Sequence, residues 1–229
     1  MVSRTLQEMY SEWDLIKSNY KRYRFPLNFQ DFDQSGEKCF RSQEQVLWQI
    51  LETFVHFSKF KDSFSKRSLD WYPYGGMSLK IYSEKLENSI NFGIYEGCIF
   101  LETEIIHPSY LYKMTDEFWI RLMQLPNYGQ FEFVPHGTSP NDKESRLKLE
   151  KLSSNKSQFF NIIANYIFGG ADECKLDFGM LVVKWPIDTS WDNLLNSGCE
   201  VFKILYKTNY DLYRHVYQLA HGRSKAKKA

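Results

Sequence analysis

A chain of 229 residues, 43% hydrophobic and 25% charged, is long enough to bury a full core and has the composition of a globular protein. Lys plus Arg is 29 and Asp plus Glu is 28, so bulk charge argues against a polyanion binder, while leaving room for a local basic face. No stretch reaches the about 18 apolar residues of a membrane helix, and the start, "MVSRTLQEMYSEWDLIK", has no apolar signal region. Cys39, Cys98, Cys174 and Cys199 are too widely spaced for a zinc site, so they are expected as free thiols in a cytoplasmic protein with no membrane contact.

In chain order, residues 4–22 read as a helix with Leu6, Met9, Tyr10, Trp13, Ile16 and Tyr20 on one face, stopped by Pro26. "FQDFDQSGEK" reads as a loop. Ser42 and Gln45 form a capping-box pattern, predicting a second helix from there to about Phe60. The helical region is thus expected to fill residues 1–66. "WYPYGG" at 71–76 is turn chemistry, after which the period changes from helical to two. Residues 77–105 then predict a three-stranded antiparallel meander. Thr115 caps a short helix closed by Pro126, and "GQFEFVP" is a fourth strand. "HGTSPND" is a loop, and residues 142–168 are helical with a break near Ser153 and Asn155. "KLDFGMLVVKW" is apolar on both faces at its centre, as an interior strand would be. Thr189 and Asp192 form a second capping-box pattern for a long helix burying Trp191, Leu195, Phe202, Leu205, Leu212 and Val216. That helix is expected to kink at Lys207-Thr208-Asn209 and to end at Gly222, leaving residues 223–229 as a basic disordered tail. The sum is one α+β domain over residues 1–222: a mainly antiparallel sheet of about five strands, covered by long helices.

The segment "NFGIYEGCIFLETEI" carries most of the site argument. A reversal at Glu96-Gly97 sets Ile94 opposite Ile99, Phe92 opposite Leu101 and Ile90 opposite Thr103 on an apolar face. Asn91 then faces Glu102, Ser89 faces Glu104, and Gly93 faces Phe100 on the other. Glu102 and Glu104 share one side of a strand, about 6.5–7 Å apart. Two such carboxylates can share a Mg²⁺ ion, with Lys80 expected on the same polar side of the neighbouring strand to orient a water or meet an anion. The ordinary alternative is a solvated sheet face that pairs Lys with Glu.

The order helix, three-stranded meander, helix, strand is similar in topology to the core of PD-(D/E)xK nucleases. That resemblance implies a Mg²⁺-dependent nuclease with Glu102, Glu104 and Lys80 as catalytic residues and Glu102 and Glu104 as metal ligands. The sequence departs from the pattern: Glu104 stands where lysine is usual, and the upstream acid is Asp70, Glu87 or Glu96. "GIY" at 93–95 resembles the first half of the GIY-YIG nuclease motif, but the second half does not follow.

Elsewhere the sequence lacks a nucleophile elbow, a P-loop, a dinucleotide-binding glycine pattern and an H-E-x-x-H zinc motif. His56 reads as a core or edge residue, His136 sits in a breaker-rich loop where functional residues occur, and Gly169-Gly170 reads as a helix stop. "NYKRYRF" sets Lys21, Arg22 and Arg24 among aromatics, a mixture that suits base stacking. Together with the tail 223–229 it supports a nucleic-acid-binding accessory protein as one alternative. By elimination, the leading expectation is a non-catalytic intracellular protein-binding or accessory subunit that needs no cofactor. Mg²⁺ enters only with the nuclease alternative.

Overall fold

The computed structural model describes residues 34–72, 76–95, 98–135, 155–168 and 178–226. The expected helix at 4–22, the reversal at Glu96-Gly97, the loop after Pro135, the helix start at 142–154 and the glycine pair 169–170 lie outside those residues. The described chain is α+β. Its six strands are β1 (Phe64–Tyr72), β2 (Gly76–Ser83), β3 (Asn88–Tyr95), β4 (Cys98–Glu104), β5 (Gln130–Pro135) and β6 (Gly179–Pro186). They form one antiparallel sheet in the order β1-β2-β3-β4-β6-β5. Its helices are α1 (Gln34–Ser58), α2 (Asp116–Leu122), α3 (Asn155–Phe168) and α4 (Trp191–Ala226), with a 3-10 turn at Pro108–Lys113.

The first four strands form a meander one strand longer than expected. β1 occupies residues expected to be helix or turn. The cause is a register shift between Lys66 and Ser68. Phe64, Lys66, Leu69 and Trp71 all register with the face that carries Ile81, Leu79 and Met77. Their spacing is two, three, two, so one extra residue hides the alternation that marks a strand. From β4 the chain crosses to the far edge as β5, and β6 returns to fill the gap between them. As an interior strand β6 buries Leu181, Val183 and Trp185 on one face and Val182 on the other, as its apolar sequence predicts.

Helices α1, α3 and α4 cover the face bearing Leu79, Ile81, Ile90, Phe92, Ile94, Ile99 and Leu101. α1 presents Val46, Leu47, Ile50, Leu51 and Phe54, a helical-period stripe that is fully buried. The Phe54 ring meets Phe92 edge to face, with centroids 5.4 Å apart. α4 passes so close to α1 that a Cβ on Gly198 would lie 2.4 Å from Phe54 Cζ. Glycine is what admits the ring there.

Both helix starts move from their expected places. α1 begins at Gln34, so Ser42 and Gln45 lie within it and "QSGEK" is helix rather than loop. α4 begins at Trp191, and the Ser190 carbonyl accepts from the Leu194 N–H, which makes Ser190 and not Thr189 the cap. α4 is one unbroken 36-residue helix through Lys207-Thr208-Asn209 and past Gly222 to Ala226. Residues 223–226 are therefore helix rather than tail, while 227–229 lie outside the described residues. Leu194 takes the fully buried position expected of Leu195, and Val216 is only partly covered.

Two polar networks fix α4 against the sheet. Asn209, 1% exposed, donates to Thr103 Oγ1 (3.1 Å) and to the Glu104 carbonyl (2.8 Å), and its Oδ1 accepts from the Ile106 N–H (3.1 Å). Asn88 donates to the same two acceptors from the β3 side, and Thr103 Oγ1 donates to the Ser89 carbonyl at 2.8 Å. Asp62 anchors the second network. It accepts from Ser83 Oγ, from Tyr206 Oη at 2.8 Å and from the Lys85 N–H at 3.2 Å. Burial and the Asp62 carboxylate hold the Tyr206 hydroxyl far above the ordinary tyrosine range.

Candidate functional site

The sheet's second face is where the sequence locates its candidate chemistry. The observed register agrees with the expected one: Asn91 pairs with Glu102, Gly93 with Phe100 and Ile90 with Thr103. Glu102 and Glu104 therefore share that face, because side chains two apart on a strand point the same way. One row crosses the sheet there as Lys80, Asn91, Glu102, Val182 and Glu132. Phe100, Lys184 and Gln130 lie in the adjacent row.

Lys80 is thus two strands away from Glu102, not on a neighbouring strand, at about 4.8 Å per strand. Asn91 fills the place between, and its Nδ2 donates to Glu102 Oε1 at 3.0 Å. The cation on the adjacent strand is Lys184 of β6, which the sequence reading left out. Lys184 lies diagonally between Glu102 and Glu132 and forms an ion pair with Glu132. The second face therefore mixes charged side chains with the buried, apolar Phe100 and Val182.

Burial dominates the electrostatics of Glu102. Desolvation pushes its carboxyl above the ordinary glutamate range, against the Asn91 hydrogen bond and the charges of Lys184 and Lys80. Lys184 acts on it more strongly than Lys80, and Glu104 adds a repulsion that works with burial. Asn91 Oδ1 is buried without a hydrogen-bond partner. The hydrogen-bonded oxygen and the two ammonium groups answer only part of the carboxylate's charge, and burial outweighs them.

Of the three candidate upstream acids, Asp70 lies on β1 opposite Ser78, and Glu96 is outside the described residues. Glu87 sits in the β2–β3 turn at φ 52 and acts electrostatically on His107, not on Glu102. Among the described residues, no three His, Cys, Asp or Glu side chains gather where they could hold a metal ion.

The remaining candidates are dispersed. His56 is exposed on α1 beside Phe57. His107 follows β4 in a left-handed conformation, φ 52 and ψ 50, and burial depresses its basicity. The His215 ring packs 5.4 Å from Tyr110. His136, Lys21, Arg22 and Arg24 lie outside the described residues, and of the basic tail the structure gives only the helical backbone at 223–226. Cys98 and Cys199 are free thiols, both half-buried. No described helix is long and apolar enough to cross a membrane.

What the sequence reading missed entirely is a surface. α3 packs Ile162, Phe159 and Tyr166 against the core, with the Phe159 ring stacked 5.0 Å from Phe131. Gln158 Oε1 accepts from the Phe133 N–H of edge strand β5 at 2.9 Å, which blunts that edge. On its outer side α3 exposes Phe160 (67%), Ile163 (43%) and Ile167 (61%). The sequence signal was composition: "NKSQFFNIIANYIF" is apolar over more than half its circumference, wider than the stripe one packed side needs. Comparison with known proteins finds no matching family model, no similar curated protein and no similar solved structure.

Proposed function

We propose that this protein is a non-catalytic intracellular binding component of a protein assembly. The observation that carries this reading is the row of large apolar side chains Phe160, Ile163 and Ile167 standing in solvent on one helix. Single exposed apolar residues are normal on any surface, but a contiguous row on an otherwise packed helix is the mark of an interface. The test is co-purification of the full chain from its native host. A partner that is retained by the wild type and lost with Phe160→Asp supports the reading. A chain that always isolates alone and monomeric ends it.

A Mg²⁺-dependent nuclease is the second reading. It is favoured by Glu102 and Glu104 sharing one side of β4, and by the raised proton affinity of Glu102, a common property of functional carboxyls. It predicts DNA or RNA cleavage with Mg²⁺ or Mn²⁺ that disappears in Glu102→Ala while the fold persists. Absence of cleavage across both nucleic acids and both metals rejects it.

A further inference from the structure

We propose that the outer side of α4, from Lys207 to Lys225, is a contact surface for single-stranded nucleic acid. The proposal goes beyond the binding-component reading and does not depend on the α3 row. Between Val201 and Tyr217 the exposed residues of α4 are Lys207, Arg214 and Tyr217. Steps of seven and three keep them on one side of the helix, away from the fully buried Leu205 and Leu212. The helix runs unbroken to Ala226, so its period carries the same side on through positions 221 and 225, which are His221 and Lys225. Lys207, Arg214 and Lys225 thus mark a stripe about 27 Å long at about 1.5 Å per residue.

The acids of α4 near this stripe are already engaged, Glu200 with Lys203 and Asp211 with Arg121. Among the described residues neither Lys207 nor Arg214 joins an ion pair. Beyond Asp211 the sequence holds five Lys and Arg and no acid, although the whole chain is balanced at 29 bases and 28 acids. A line of cations with no acid among them fits a polyanion. The rings beside it narrow the class. Tyr217, 50% exposed, stands 6.1 Å from Tyr213, and Lys85 Nζ lies 4.8 Å over the Tyr210 ring on the same flank. Aromatic faces among cations hold bases by stacking and phosphates by charge, and a single strand leaves its bases open to stacking. An anionic membrane would ask for Trp, Phe or Leu along the side that meets it, and this side offers only tyrosine. α4 covers the first face of the sheet, so the stripe is separate from Glu102 and Glu104 on the second. Three phosphate contacts predict a dissociation constant of roughly 1–100 µM near physiological salt and a log–log salt slope of about −2.

The test is fluorescence anisotropy of a labelled oligothymidylate of about 16 nucleotides, titrated with the full chain at salt from about 50 to 200 mM. The proposal expects affinity to fall about twentyfold over that range. Lys207→Glu combined with Arg214→Glu should weaken binding at low salt by about tenfold or more. Tyr217→Ala should weaken it about fivefold and leave the salt slope unchanged. All three residues are exposed, so the variants are expected to fold, and circular dichroism checks that they do. Absence of binding at low salt overturns the proposal, as does a double variant that binds like the wild type. A Tyr217→Ala variant that binds like the wild type, or equal binding of a duplex or of polyglutamate, overturns the single-strand assignment. Tighter binding to phosphatidylserine vesicles than to the oligonucleotide overturns it in favour of a membrane. A chain ended at Gly222 separates the stripe from the tail. Binding lost there but kept in the double variant assigns the contact to residues 223–229 and overturns the stripe.

Discussion

The two faces of one sheet are held by different physics. On the first, Ile90, Phe92, Ile94, Ile99 and Leu101 meet α1 and α4, and the polar groups present, Thr103, Asn88 and Asn209, are tied into one hydrogen-bonded network. On the second, Lys80, Asn91, Glu102, Lys184 and Glu132 answer each other's charge, and Glu102 bears a desolvation cost those contacts do not fully offset. The same backbone serves both because successive strand residues point in opposite directions. Stability is therefore expected to concentrate on the first face, and sensitivity to pH on the second.

The largest effect is expected from Phe54→Ala. It removes a fully buried ring between Gly198 and Phe92, so chemical denaturation should show a loss of about 3–5 kcal/mol. Next comes Asn209→Leu, which leaves the part-buried Ile106 N–H without its acceptor and the Glu104 carbonyl to Asn88, and should cost about 1–3 kcal/mol by the same measurement. A loss below that of an average surface substitution would show that the network orients α4 without stabilising it.

The second face should respond weakly. Lys184→Ala breaks a half-buried ion pair with Glu132 and should cost less than about 1 kcal/mol. Glu102→Gln should have the opposite sign. A carboxyl whose folded pKa lies above its unfolded value makes the folded state the better proton binder. Stability from this group is therefore present below the ordinary value of 4.5 and lost as pH rises through the folded value. The glutamine variant should melt higher than wild type near pH 7, and the difference should vanish near pH 4. A gain that does not depend on pH would show that burial of charge is not the cause.

The β3–β4 pairing was legible because six residues, five of them apolar, fall together on one face with Asn91 and Glu102 on the other, and a slip of one would scramble them. Thr103 was legible too, as the polar exception in the apolar row, although its partner was not: Asn209 is 106 residues away. β1 was illegible because its bulge breaks the period of two. The expected meander already puts β3 between Lys80 and the glutamates, so Lys80 was set one strand too near, and the strand order then brings Lys184 in from β6 on the other side. A residue some 80 positions downstream leaves no trace near Glu102 in the sequence.

By itself, the sequence determined what short-range periodicity can carry: the antiparallel meander, the interior character of β6, and the sharing of one strand side by Glu102 and Glu104. Only tertiary structure decided which cation adjoins Glu102 on the next strand, where α4 is anchored, and that α3 exposes Phe160, Ile163 and Ile167. Periodicity records which way a side chain points relative to its neighbours along the chain. What it meets there depends on strand order and helix placement, which bring together residues that are distant in sequence.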